Sequence, residues 1–182
     1  VYSCKSIVKS AFESSGGSET TDRDFAIIRL DRKVVGRAPL RLNRDGGLAK
    51  GDGVFAIGHP MGLPAKVAGD AAVVKIDPAA LFFEASLDTY GRNSGSPVFN
   101  TRTRLIEGVL VRGNMDFKRS PEGCMVSNVM PQNSEDGEDV TKTTVFGPLI
   151  PRIAGEAGAA PVAVDSSSIK VEPLAFKNVS FN

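Results

Sequence analysis

Gly91-Arg92-Asn93-Ser94-Gly95-Ser96-Pro97-Val98-Phe99-Asn100 decides how the rest of this 182-residue chain is read. A serine flanked by small, turn-forming residues and followed directly by an apolar run sits on a tight bend that enters a strand. Such a bend exposes the hydroxyl and lets successive main-chain N–H groups converge on one point, where a developing oxyanion can be held. The plainer reading of the same residues is an Asn-Ser-Gly-Ser turn joining two strands.

A second block lies upstream. Asp24-Phe25-Ala26-Ile27-Ile28-Arg29-Leu30 places a carboxylate at the mouth of an apolar strand. Short runs of the same kind recur at Gly53–Gly58, Lys66–Ala68, Ala71–Ile76, Leu81–Ala85, Pro97–Phe99 and Ile106–Val111. Turns such as Asn43-Arg44-Asp45-Gly46-Gly47 separate them, and 19 Gly and 11 Pro punctuate the chain. That texture predicts an all-β sandwich or barrel. No stretch of helical length carries a 3.6-residue period. Residues 13–23 read as a polar Gly/Ser surface loop, residues 154–168 as a linker, and Ile169 to Asn182 as a strand or the start of another module.

Composition narrows the partners. Lys+Arg 22 against Asp+Glu 21 leaves a formal charge of +1, which offers no footprint for nucleic acid or an anionic membrane. No apolar run is long enough to span a bilayer as a helix. Cys4 and Cys124 either pair with each other or leave Cys4 for a partner upstream, and two cysteines make no disulfide framework. With a single histidine there is no ligand spacing for a metal, and no cofactor motif is present.

Taken together, the Asp and Ser blocks resemble those of the chymotrypsin-fold serine proteases, closest to the bacterial branch that includes the staphylococcal glutamyl endopeptidase. Gly58-His59-Pro60-Met61-Gly62-Leu63-Pro64 and Glu107-Gly108-Val109-Leu110-Val111-Arg112-Gly113 extend the resemblance over about residues 1–150. The resemblance implies a double antiparallel β-barrel whose first barrel is incomplete: residues 1–40 its remainder, 41–152 the second barrel, and 153–182 a linker and C-terminal extension. It implies Ser94 as nucleophile, Asp24 as the carboxylate that orients the base, and the N–H groups of Arg92 and Ser94 as the oxyanion hole. Val111, Arg112 and Gly113 would form the strand edge that pairs with a peptide or protein substrate. Asp88 would lie at the base of the primary specificity pocket, where an acid selects Arg or Lys in the trypsin branch. A secreted or periplasmic location goes with that family.

Two departures qualify this reading. The family order is His, Asp, Ser, yet the only histidine is His59, between Asp24 and Ser94. Its Gly and Pro neighbours mark a strand end, so it reads as structural or solvent-facing and out of reach of Ser94. The chain also lacks an initiator Met, and the catalytic His is expected on an upstream segment; the chain alone is then expected to be inactive. Arg92 stands where the family usually has Gly, which restricts the backbone of the oxyanion turn. The alternative is a non-catalytic member of the fold that binds peptide or protein in its groove.

Overall fold

The computed structural model describes residues 1–13, 23–129, 131 and 136–153. Most of the expected loop at 13–23, and the linker and extension expected after Ile153, lie outside the described residues. Among the described residues ten strands follow one another: β1 (Cys4–Glu13), β2 (Arg23–Leu30), β3 (Gly53–Gly58), β4 (Lys66–Ile76), β5 (Phe82–Ala85), β6 (Pro97–Asn100), β7 (Ile106–Arg112), β8 (Phe117–Arg119), β9 (Met125–Ser127) and β10 (Glu138–Lys142). A single helical turn, α1 (Thr143–Phe146), comes next, and 3-10 turns occupy Pro60–Gly62 and Gly147–Leu149.

Strands β3 to β7 and β10 close into a barrel in the order β10-β5-β4-β3-β6-β7, with every neighbouring pair antiparallel. This is the all-β, chymotrypsin-like architecture expected from the sequence. Alternation fills the interior: Val54 and Ala56 from β3, Ala71 and Val73 from β4, Phe83 and Ala85 from β5, Val98, Leu110 and Val140 from the remaining three. The several alanines suit the narrow lumen of a six-stranded barrel, where side chains rather than a ligand fill the axis. Burying each larger apolar side chain contributes about 1.5–3 kcal/mol. Outside the barrel, Phe55 and Phe99 face each other across β3 and β6 and stack with centroids 5.0 Å apart.

Strands β1, β8, β9 and β10 were not among the runs read from the sequence, and two of those runs are joined. Lys66–Ala68 and Ala71–Ile76 are one strand, not two. Between Ala68 and Ala71, β4 carries one more residue than its partner β3, and Asp70 turns into the left-handed region at φ 54. The glycine and aspartate that read as a break therefore form a bulge, which bends the strand without ending it. The chain is also not wholly free of helix, but four residues are too short to carry a period.

Outside the barrel, β1 and β2 form a two-stranded antiparallel sheet of their own, and β8 and β9 form another. The β1–β2 pair meets the barrel at its β10 end. There Thr141 Oγ1 donates to the Asp24 carbonyl at 3.0 Å, and the Phe25 and Phe146 rings lie 5.8 Å apart. Much of the rest of this pair faces solvent, including Ile7, Val8, Phe12 and Ile28. Cys4 and Cys124 are both free and exposed, so they form no disulfide with each other.

Candidate active site

The Ser block forms the turn that leads into β6. Two hydrogen bonds to β7 and two within the turn hold it. Gly95 N–H donates to the Leu110 carbonyl at 2.7 Å, and Leu110 N–H donates to the Ser96 carbonyl at 3.0 Å. Within the turn, Ser96 N–H donates to the Asn93 carbonyl at 3.1 Å, and Ser96 Oγ donates to Asn93 Oδ1 at 2.8 Å. Asn93 is buried, whereas Ser94 beside it is exposed. Gly58 makes room for this arrangement, because a β-carbon there would collide with Asn93 Oδ1 and Ser96 Oγ. The turn is also anchored upstream, where Gly91 N–H donates to Asp116 Oδ2 at 2.7 Å and Gly91 O accepts from Met61 N–H at 3.0 Å.

Two residues in the turn adopt positive φ, Arg92 at 65 and Gly95 at 92. For Gly95 this is free; for Arg92 the left-handed conformation costs roughly 1–2 kcal/mol. The Arg92 strain is a property of the backbone on which the oxyanion role would depend. Among the described residues, neither the Arg92 nor the Ser94 N–H has an acceptor. Both are therefore available to an incoming oxygen. Ser94 Oγ donates to the Val111 carbonyl at 3.1 Å, which ties it to the end of β7.

Ser94, Leu110 and Val111 are shared by the linings of two cavities. The first, about 470 Å³, runs between β2 and the barrel and is lined by Asp24, Phe25, Ser94, Gly95, Val111 and Phe146 among others. The structure thus brings Asp24 and Ser94, distant in sequence, onto one cleft. The Asp24 carboxylate, half-buried there, makes no hydrogen bond among the described residues, while its carbonyl accepts from Thr141 Oγ1. The second cavity, about 240 Å³, lies on the other side of Ser94 and is lined by Thr89, Ser94, Val111, Gly113, Asp116 and Glu138, with others. Val111, Arg112 and Gly113 all border it, and the Arg112 side chain pairs with Asp139 at 2.6 Å. A larger cavity, about 580 Å³, lies against Glu107 and Lys142 and includes neither Asp24 nor Ser94.

Asp88 does not occupy the base of the second cavity. It is exposed, and the buried Leu87 and Thr89 on either side show why. Thr89, the next residue, lines the cavity in its place. The acids that do line the cavity are Asp116 and Glu138. Glu138 is only 8% exposed. Burial pushes its carboxyl up to about 7, a rise opposed by hydrogen bonds from Thr89 and the Asn114 backbone and reinforced by the nearby charges of Asp116 and Asp139. A signal for Glu138 existed in the sequence: it stands two residues before Val140, on the same face of a strand.

His59 is not at the site. Its Nδ1 lies 3.1 Å from the Leu63 carbonyl, its ring is exposed, and no hydrogen bond joins it to Ser94. The turn that follows it reaches the Ser block through the Met61 N–H, which donates to the Gly91 carbonyl.

Residues 9–106 match the family described as the trypsin-like peptidase domain, a span that contains both Asp24 and Ser94. No curated protein matches the chain. Among solved structures it is similar to the active form of the Rv3671c protease from M. tuberculosis, with 15% identity and a TM-score of 0.47, covering 69% of this chain and 51% of that one. It is similar also to kallikrein-related peptidase 10, with 14% identity and a TM-score of 0.50, covering 79% of this chain and 69% of that one. The chain spans about half the length of the mycobacterial protease, and the likeness to the kallikrein-related peptidase, at 14% identity, is one of fold. With more than half of its residues matched to that one family, this chain belongs to the trypsin-like peptidase domain family.

Proposed function

We propose that the chain is the Asp- and Ser-bearing part of a serine endopeptidase. Ser94 is the nucleophile, Asp24 the carboxylate that orients and charges a base, and the Arg92 and Ser94 N–H groups the oxyanion hole. The substrate backbone pairs with the edge at Val111 to Gly113. The observation that carries this reading is the common cleft of Asp24 and Ser94, with two main-chain N–H groups beside Ser94 that have no acceptor among the described residues. In this mechanism the base takes the Ser94 proton as Oγ attacks the scissile carbonyl, and the tetrahedral oxygen is held by the two N–H groups. The base then passes its proton to the leaving amine, and water repeats the sequence on the acyl-enzyme. A serine hydroxyl at neutral pH needs that base.

No imidazole in the sequence fills the role, since His59, the only histidine, is tied to Leu63. The base is therefore supplied by a segment upstream of Val1, which lies against β1 and β2 and completes their barrel. The family's secreted or periplasmic setting goes with this reading. The test is a fluorophosphonate label applied to two proteins: this chain alone, and the chain joined to an upstream His-bearing segment, each with Ser94→Ala as blank. Labelling and ester turnover only in the joined protein are expected. Silence in both would overturn the enzyme reading and leave a domain that binds peptide in the same groove, a role that the engagement of Ser94 Oγ with the Val111 carbonyl also suits.

A further inference from the structure

The cavity of about 580 Å³ lies at the mouth of the barrel opposite Ser94. Ser94 lies by the start of β6 and the end of β7, whereas Ile76, Glu107 and Lys142 stand at the end of β4, the start of β7 and the end of β10. Two loops wall the space. Residues 46–50 are held through Asn43, whose Nδ2 donates to Glu107 Oε2 at 2.8 Å and whose carbonyl accepts from Thr143 Oγ1. The turn before β5 is held by Lys142, whose Nζ donates to the Asp77 and Ala80 carbonyls at 2.6 Å each. Residues that line the cavity thus also pin its walls, so the space exists before any guest arrives. Its volume falls within the roughly 300–1,000 Å³ of small-molecule sites, and Leu48, Ile76, Pro78, Ala80 and Leu81 give it an aliphatic surface.

Within that surface stands an ammonium short of an anion. Lys142 is partly buried, and among the described residues no carboxylate pairs with it. Both of its acceptors are main-chain carbonyls, which leaves the third N–H bond of the ammonium without one. Burial holds its pKa below the ordinary lysine value, and the charge of Asp77 opposes that fall. Asp77 is itself turned to its own loop, where Oδ1 accepts the Ala79 N–H at 2.8 Å.

We propose that this cavity binds a small carboxylic acid with an aliphatic tail, its carboxylate on the Lys142 ammonium and its tail against Leu48, Ile76 and Leu81. The proposal is independent of the reading of Ser94. Every charge at the cavity bears on the choice of guest. Lys50 and Lys142 line it, and Glu107 is the one acid that does so among the described residues. Asp52 stands behind the wall, where its Oδ2 accepts the Ala49 N–H at 2.9 Å. Glu107 is only 4% exposed, and its carboxyl is bonded to the side chains of Asn43 and Asn100. Burial and the charge of Asp52 raise its pKa against those bonds, which favours the form that does not repel an anion. A cationic guest would meet two lysines and an acid already bonded to two amides. A neutral aliphatic guest would make the apolar contacts but seal Lys142 from water with an N–H unmet. A carboxylate with a tail satisfies both the ammonium and the aliphatic wall.

The experiment titrates octanoate into the full chain by isothermal calorimetry at pH 7, with 1-octanol and octylammonium as its uncharged and cationic counterparts. Octanoate is expected to bind at one site, octanol at least about tenfold more weakly, the share of one charge-assisted hydrogen bond, and octylammonium more weakly still. A heteronuclear spectrum locates the site. The amides of Gly46, Gly47, Leu81 and Thr144 should shift with octanoate, while those of Ile27 and Gly95, in the Ser94 cleft, should not. Lys142→Met, which keeps the length and removes the charge, is expected to bring octanoate down to the level of octanol. Asp88→Asn, on an exposed residue outside the cavity, is expected to leave the affinity unchanged. Circular dichroism and a thermal melt verify that each variant is folded, since Lys142 also holds the turn before β5. Should Lys142→Met not fold, Ala79→Trp, which puts a bulky ring on an exposed lining position, is expected to weaken octanoate severalfold with the ammonium still in place. Octanol that binds as tightly as octanoate, octanoate binding indifferent to both variants, shifts confined to the Ser94 cleft, or no binding at all overturns the proposal.

Discussion

Asp116 Oδ2 accepts the main-chain N–H of Gly91 at 2.7 Å, so a side chain from the segment before β8 holds the start of the turn that presents Ser94. The contact is close from the glycine side too, since a β-carbon on Gly91 would press on the same oxygen. A charge-assisted bond to a half-buried N–H is worth about 1.5–3 kcal/mol, less the part that water recovers once the acid is gone. Asp116→Ala is expected to lower stability by about 1–2 kcal/mol. Urea unfolding of the purified chain measures it, and a change under about 0.3 kcal/mol would show that the turn holds without this bond.

Gly58→Ala should be worse. The added methyl would meet Asn93 Oδ1 and Ser96 Oγ, which are bonded to each other, and Asn93 is buried and cannot swing away without losing that bond. Overpacking of this kind costs about 1–3 kcal/mol. The expected outcome is a melting temperature several degrees lower, and a Ser block whose amide signals shift in a heteronuclear spectrum while those of β5 do not.

Arg92→Gly acts in the opposite direction. The native φ of 65 penalises any residue with a β-carbon, and glycine removes that penalty. Glycine also gives the unfolded chain more freedom, which takes back roughly 0.4–1 kcal/mol of the 1–2 kcal/mol released. A net gain of up to about 1 kcal/mol is expected in urea unfolding. In a completed enzyme the same change should raise kcat, because the N–H that faces the oxyanion would no longer sit on a strained backbone.

Glu138 makes stability depend on pH in a direction set by its raised carboxyl. In the unfolded chain this group loses its proton near 4.5, and in the folded chain near 7. Between those values the folded state holds a proton that the unfolded state has released, so stability falls as pH rises through this window and is level above it. The loss amounts to at most about 3 kcal/mol at 1.36 kcal/mol per unit. Glu107, also buried and also raised, adds to the same slope. Glu138→Gln should flatten the curve between pH 5 and pH 7 and leave the variant the more stable protein at pH 8. A variant with the same slope as the parent would remove Glu138 as its source.

The barrel was largely legible because its strands announce themselves in apolar residues. Gly53–Gly58 is the strand β3 residue for residue, and Ile106 and Pro97 begin β7 and β6 as read. Strand β10 was missed because three of its five residues are charged, and a charged residue is ordinarily placed outside. Strand β1 was missed for a different reason: with almost every described side chain exposed, it carries no alternation to read. The Asp24–Ser94 cleft followed from two blocks with a recognisable spacing of residue types. The acid in the second cavity did not, because counting back from Ser94 along the chain leads to Asp88, whereas the barrel closes by folding β10 across the same space. Local counting sees neighbours along a strand and is blind to what closure places between them.

Thr141 grips Asp24 by its carbonyl and leaves the carboxylate unengaged. The attachment of β2 to the barrel is therefore indifferent to which side chain stands at position 24. Mutation can erase or restore the acid without unmooring the strand, so chemistry and architecture are inherited separately at this joint.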